Sequence, residues 1–253
     1  MAQIRIGVDP DNALGRQLTD LERSQLPFAA AQAANKVAFE IRERWKQRAP
    51  QVFDRPTPLT KNAALYRKAT KERPYAEVFI RDEAFKGTPP SKYLFTEVEG
   101  GTRRRKGFER LLQSRGLLSP SQFAVMGRGA RANQYGNVPA GQVTKLLSQL
   151  GAQRDRYQNQ TQTSAKRRRS RAPNGGEYFV ITKRRGKLRP GIYERIGTGW
   201  GSAVRSIFIF TSTANYQPRF DIFGMAEDTW KKLMPFYLKR ELEKAMETAR
   251  PLP

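Results

Sequence analysis

Residues 27–48 read PFAAAQAANKVAFEIRERWKQR. Ala30, Ala34, Val37, Ala38, Ile41 and Trp45 recur there at three- and four-residue steps. That spacing lays one apolar stripe along a helix and turns Lys36, Arg42, Glu43, Arg44 and Lys46 largely outward. The first half of the stripe is almost all alanine, so its face is shallow and a neighbour can approach closely. Trp45 closes the stripe and demands a deep pocket. Such a helix is either an ordinary core helix or one packed against copies of the same chain in a ring, and the two roles are compatible.

Working outward, residues 3–8 (QIRIGV) alternate and predict a short strand closed by Asp9-Pro10. Thr19 and Glu22 have capping-box spacing, so a short helical turn is expected there, then a bend near Pro27, then the long helix, stopped at Ala49-Pro50. Pro56 and Pro58 impose an extended path. Residues 61–71 are basic, with helical character at their start, and residues 76–81 predict a central strand. Further strands are expected at 93–98, 122–126, 178–182, 191–196 and 204–210, with helices over 102–116 and 142–150. A second long helix begins at Phe220, with Ala226, Trp230, Leu233, Met234, Tyr237, Leu238 and Leu242 on its apolar face and a kink or restart at Pro235. The expected class is α+β: long N-terminal and C-terminal amphipathic helices on a mostly antiparallel β-sheet, with an inserted helical and loop region. The expected organisation is one discontinuous core, 1–92 with 177–253. Residues 93–152 form the insertion, and 153–176 a basic, mobile loop whose only large apolar residue is Tyr157.

The 253 residues carry 47 Lys and Arg against 23 Asp and Glu, a formal charge of +24. So positive a chain calls for an anionic partner: nucleic acid first, then an acidic protein surface, then anionic lipid. No apolar run nears the ~20 residues that span a bilayer, and the N-terminus lacks a signal-peptide core, so no membrane role is expected. Cysteine and histidine are both absent. That removes thiol and Ser–His nucleophile systems and His- or Cys-ligated zinc, leaving carboxylate, lysine or tyrosine chemistry for any enzyme. No catalytic residue, cofactor or metal is expected.

Three basic clusters are candidates for contact with nucleic acid or an acidic partner. They are Arg103, Arg104, Arg105 and Lys106; Lys166, Arg167, Arg168, Arg169 and Arg171; and Lys183, Arg184, Arg185 and Lys187, with Arg189 nearby. Each alone is also what a solvated face looks like. Phosphate contacts of this type are salt-sensitive and carry no base specificity. No RNP-type run, basic zipper or zinc finger is present, so sequence-blind binding is expected. Asp82-Glu83 with Lys86 is the nearest approach to a metal-dependent nuclease site. Adjacent strand residues point to opposite faces and no second acidic cluster joins them, so a strand-end turn is favoured. Gly197-Thr198-Gly199-Trp200-Gly201 lacks the Gly-Lys-Ser/Thr ending of a phosphate loop.

The segment Leu26-Pro27-Phe28-Ala29-Ala30-Ala31-Gln32-Ala33-Ala34-Asn35-Lys36-Val37-Ala38 resembles the N-terminal helix of the minor tail protein Z type of tail-completion proteins from tailed bacteriophages. The closing basic amphipathic helix and Arg55-Pro56-Thr57-Pro58-Leu59-Thr60 are similar to phage virion proteins of this kind. The resemblance implies a non-enzymatic virion protein that forms a ring at the head–tail junction or upper tail, with DNA in its channel. Its partners would be copies of itself, portal or connector proteins, tail-tube or nozzle proteins, and DNA. Its location would be the virion, after assembly in the bacterial host cytoplasm. On that expectation Ala30, Ala34, Val37, Ile41, Trp45, Trp230, Leu233 and Tyr237 pack between subunits. The rival expectations are a sequence-nonspecific nucleic-acid-binding protein acting outside a virion and, more remotely, a nuclease at Asp82 and Glu83.

Overall fold

The structure, a computed structural model, describes residues 3–7, 20–70, 73, 75–85, 87–171, 176–198 and 201–248. The chain forms two compact units. A terminal unit comprises Met1–Gly101 and Tyr216–Pro253, and an inserted unit comprises Thr102–Asn215. The class is α+β, with antiparallel sheets and the N- and C-terminal helices packed together. The unit bounds differ from those expected at 92 and 177, because the strands after residue 177 pair with one another and with residues 123–126.

In the terminal unit, α1 (Asp20–Val52) lies on α7 (Ile222–Thr248) and on a sheet of β1 (Gln3–Gly7), β2 (Ala64–Arg67) and β3 (Tyr75–Ile80). The sheet order is β1-β3-β2, so β3 is central as expected, with Ile4 opposite Val78 and Leu65 opposite Phe79. Ala76, Val78 and Ile80 join the core with the α1 stripe. The alternate residue Glu77 is also buried, and Arg67 reaches it at 2.7 Å. A buried carboxylate is tolerable only with such a partner. α1 includes both Pro27 and Pro50 as one helix, in place of the expected turn, bend and stop. Each proline lacks the backbone N–H, so one i→i−4 bond is lost at each position. α7 likewise runs through Pro235 without a restart. The capping box expected at Thr19 lies outside the described residues.

The alanine face receives its own chain. Ala30, Ala34, Val37 and Ile41 are all at most 1% exposed and Trp45 is 2% exposed, in the isolated chain. They are therefore core residues and are not available to a neighbouring copy. Trp230, Leu233 and Tyr237 are half-buried against the same core. Small side chains let α1 and α7 approach, and polar bonds fix their register. The Trp45 indole N–H donates to the Ile222 carbonyl (3.1 Å), Lys36 pairs with Glu241, and the Tyr237 hydroxyl donates to Glu40 (3.3 Å). Ala34→Leu is expected to destabilise the monomer by about 1–3 kcal/mol through overpacking, read as a lower urea midpoint. An unchanged midpoint with failed self-association would return this face to a subunit boundary.

Residues 93–98 were expected as a strand but belong to helix α3 (Ser91–Val98). Leu94 and Val98, four apart, both meet the core, and the Glu97 carbonyl accepts from the backbone N–H groups of Arg219 and Phe220. Gly100 ends this segment at φ 78°, where a Cβ would stand 2.9 Å from the Pro218 ring; glycine is required on both counts. A short helix α2 (Pro58–Lys61) follows the extended Thr57, which caps it.

The inserted unit is entered and left through a two-stranded ladder, β4 (Gly101–Thr102) with β9 (Asn215–Tyr216). It holds its own sheet, ordered β5-β8-β7-β6, of β5 (Phe123–Met126), β6 (Glu177–Ile181), β7 (Gly191–Thr198) and β8 (Gly201–Thr211). The strand character of these segments agrees with the sequence; the single sheet does not, since there are separate sheets with separate cores. Helix α4 (Gly107–Ser114), beginning later than expected, and α5 (Ala140–Gln149) bring Leu112, Leu146 and Leu147 into this second core beside Ile192 and Phe208. A bulge beyond Ile192 pairs Tyr193 with Ser206 and leaves Ile207 unmatched. Both Ile207 and Phe208 are thereby buried. Within 153–176, expected as a loop, lie a 3₁₀ turn (Arg156–Gln158) and helix α6 (Gln162–Arg171); residues 172–175 are outside the described set.

Candidate nucleic-acid interface

Charge is divided very unevenly between the units. The inserted unit holds 23 Lys and Arg but only four acidic residues, whereas the terminal unit holds 24 against 19. The four acids are Glu109, Asp155, Glu177 and Glu194, and each serves an internal contact. Glu109 is fully buried. It accepts from Arg103 Nη1 (2.9 Å), from the Lys106 backbone N–H (2.7 Å) and from the Ala124 backbone N–H (2.8 Å). Burial pushes its carboxyl up, but the Arg103 bond and the two backbone N–H groups together hold it below the usual carboxylate range. Asp155 caps the 3₁₀ turn through the Tyr157 N–H (2.9 Å). Glu177 takes Arg169 at 2.7 Å, and that bond lowers its pKa. Glu194, nearly buried, takes Arg205 Nε at 2.7 Å. Little negative charge is left to face solvent, so the unit's outer field is positive.

The three clusters differ once their side chains are placed. In the first, Arg103 is committed to Glu109, and Arg105 donates to the carbonyls of Gln122 (2.6 Å) and Pro120 while covering the Phe123 ring. These two arginines hold the α4–β5 corner together and do not face a partner. Arg104 and Lys106 remain exposed. In the second, Arg168 donates to the Gly176 carbonyl (3.0 Å) and Arg169 to Glu177, tying α6 to the start of β6. Lys166 and Arg167 are exposed and form no ion pair among the described residues; the Arg171 side chain lies outside that set. The third cluster is the tip of the β6–β7 hairpin, as expected. Lys183, Arg184, Arg185, Lys187 and Arg189 are all exposed around the Arg185–Leu188 bridge.

The inserted unit also contains a cleft of about 620 Å³ that the sequence did not announce. Arg131, Lys145 and Arg205 line it, with Gln142, Tyr178 and Glu194. Burial raises the Tyr178 hydroxyl pKa, opposed by the Gln142 side-chain N–H, which donates to it at 3.4 Å. The cleft's three cations are single residues from separate segments, so no charge run could signal them. In the terminal unit, Asp82 and Glu83 sit exposed in the loop after β3, and Lys86 is outside the described residues. Among the described residues no group of three or more His, Cys, Asp or Glu is placed to hold a metal ion, and no helix is long and apolar enough to cross a membrane. Gly197 and Thr198 end β7 and Gly201 begins β8; residues 199–200 are outside the described set. No family model, curated protein or solved structure matches the chain.

Proposed function

We propose that the chain is a non-enzymatic structural protein of a tailed-phage virion, forming an oligomeric ring at the head–tail junction or upper tail through which DNA passes. The observation that carries this reading is the charge partition: one unit concentrates 23 basic residues against four acids, all four internally engaged. The inserted unit meets DNA without reading its sequence, through a diffuse basic surface that includes the hairpin tip, Lys166 and Arg167. The terminal unit supplies the scaffold, and the resemblance of its alanine-rich and closing helices to tail-completion proteins supplies the setting. Portal or connector proteins on one side and tail-tube or nozzle proteins on the other are the neighbours that setting implies. The location is then the virion, after assembly in the host cytoplasm. With α1's alanine face used internally, subunit contacts fall to other surfaces, such as the exposed Phe28, Phe39 and Phe236.

Mass photometry and electron microscopy of the purified full chain, with and without duplex DNA, test the proposal. The expected result is a closed oligomer. DNA affinity should fall with salt at a log–log slope of about −0.9 per phosphate contacted, independent of sequence. The same charge partition supports a second reading, a sequence-nonspecific nucleic-acid-binding protein acting outside a virion. A strict monomer that binds DNA tightly favours that one, and a monomer that ignores DNA defeats both.

A further inference from the structure

The cleft in the inserted unit is more highly organised than a chance gap between basic side chains. One wall is the first two turns of α5, with Gly141, Gln142 and Lys145; the facing wall is β6–β8, with Tyr178, Glu194 and Arg205. Arg131 arrives from the loop after β5. That loop is clamped to β8: the Gly127 N–H donates to the Ile207 carbonyl (2.8 Å) and the Gly129 N–H to the Ser206 carbonyl (2.9 Å). A Cβ at Gly127 would lie 2.6 Å from the Ser206 carbonyl oxygen, and one at Gly129 2.6 Å from Arg205 Cβ. Glycine at both places lets the backbone lie against β8 and deliver Arg131 to the cleft that Arg205 lines. Arg205 is itself held, since its Nε and Nη2 both contact Oε2 of Glu194 (2.7 and 2.6 Å). The other Glu194 oxygen is pressed on Gly176, where a Cβ would stand 1.7 Å away. Glu194 is thus a positioning residue for one arginine. The lining carries three cations against that one carboxylate, a surplus suited to a phosphodiester or phosphomonoester. Its volume lies in the range of pockets for small organic ligands.

We propose that this cleft is a phosphate-ester seat of nucleotide size. Arg131, Lys145 and Arg205 engage the phosphate, and the Gln142 amide and Tyr178 hydroxyl meet the polar groups of its ester substituent. The proposal rests on the reading that the inserted unit contacts nucleic acid. It adds a defined anchoring point to an otherwise diffuse surface. The phosphate belongs either to a single strand or to a free mononucleotide.

The test uses the full chain with two probes, fluorescein-labelled oligo(dT) by anisotropy and deoxythymidine monophosphate by calorimetry. Arg131→Ala/Lys145→Ala removes two charges from exposed side chains, so the core is untouched; Lys183→Ala/Lys187→Ala at the hairpin tip removes the same charge elsewhere. The expected result is at least a roughly tenfold loss of oligo(dT) affinity for the cleft variant, and a distinctly smaller loss for the tip variant, which removes only part of a diffuse surface. Deoxythymidine monophosphate should compete on the wild type and the tip variant but not on the cleft variant. Mononucleotide binding that the cleft variant alone abolishes, with no wild-type binding to any DNA, keeps the seat and defeats the DNA-facing reading. DNA binding that falls equally in both variants, with no mononucleotide binding, keeps that reading and overturns the seat. Polyglutamate binding that the cleft variant alone loses, with neither phosphate probe bound by the wild type, also overturns it and assigns the cleft to an acidic peptide.

Discussion

Glu109→Gln is expected to destabilise the inserted unit by about 3–5 kcal/mol, because it leaves the nearly buried Arg103 guanidinium without its counter-charge. The neutral amide retains an oxygen for one backbone N–H, but its NH2 group confronts another donor where the carboxylate had accepted. Urea denaturation followed by Trp and Tyr fluorescence measures the loss, and Arg103→Met/Glu109→Leu should recover a substantial part of it by removing both charges. The wild type should also show an acid limb that the variant lacks. The Glu109 pKa is lower folded than unfolded, so its contribution is complete above the ordinary carboxylate pKa of about 4.5. That contribution disappears as pH falls through the folded value. An equal acid sensitivity in wild type and Glu109→Gln would show that Glu109 is not the group responsible.

The second large effect lies in the terminal unit. Trp45→Ala is expected to cost about 3–5 kcal/mol, since the indole is 2% exposed and is the largest side chain of the α1 stripe. It also leaves the Ile222 carbonyl without the indole N–H that reaches it at 3.1 Å. Trp45→Phe separates the contributions: the ring still fills much of the space, and loss of the hydrogen bond adds about 1 kcal/mol. Denaturation midpoints of both variants check the order. If alanine and phenylalanine prove equally mild, Trp45 does not anchor the junction of α1 and α7.

The alanine stripe shows how far the sequence could be read. Its period identified the helix and its buried side. A shallow face, however, accepts a helix of the same chain as readily as one from another copy, and only the position of α7 decides between them. Residues 93–98 were harder still. Their aromatic and β-branched side chains suit a strand, and the contact that pins the helix, Glu97 with Arg219 and Phe220, comes from more than 120 residues away. Strands 178–182, 191–196 and 204–210 were legible as strands, but alternation does not say which sheet a strand joins. Their membership of the inserted unit was therefore hidden. Basic runs were equally ambiguous. Arg103 and Arg105 fold inward to Glu109 and to carbonyls, while the isolated Arg131, Lys145 and Arg205 converge without any local signal.

The ladder formed by β4 and β9 has a consequence for the history of the chain. Gly100 and the Tyr216 carbonyl are close neighbours, a Cβ on the former falling 3.1 Å from the oxygen of the latter. The terminal unit therefore presents both cut ends at one place, the geometry that lets a host domain accept a guest sequence between adjacent backbone positions. A genome can lengthen, swap or delete such a guest by recombination at two nearby codon boundaries of the folded host, while the selection acting on the helix-and-sheet core stays separate. The concentrated basic charge would then evolve as an exchangeable cassette, at a different pace from the scaffold that carries it.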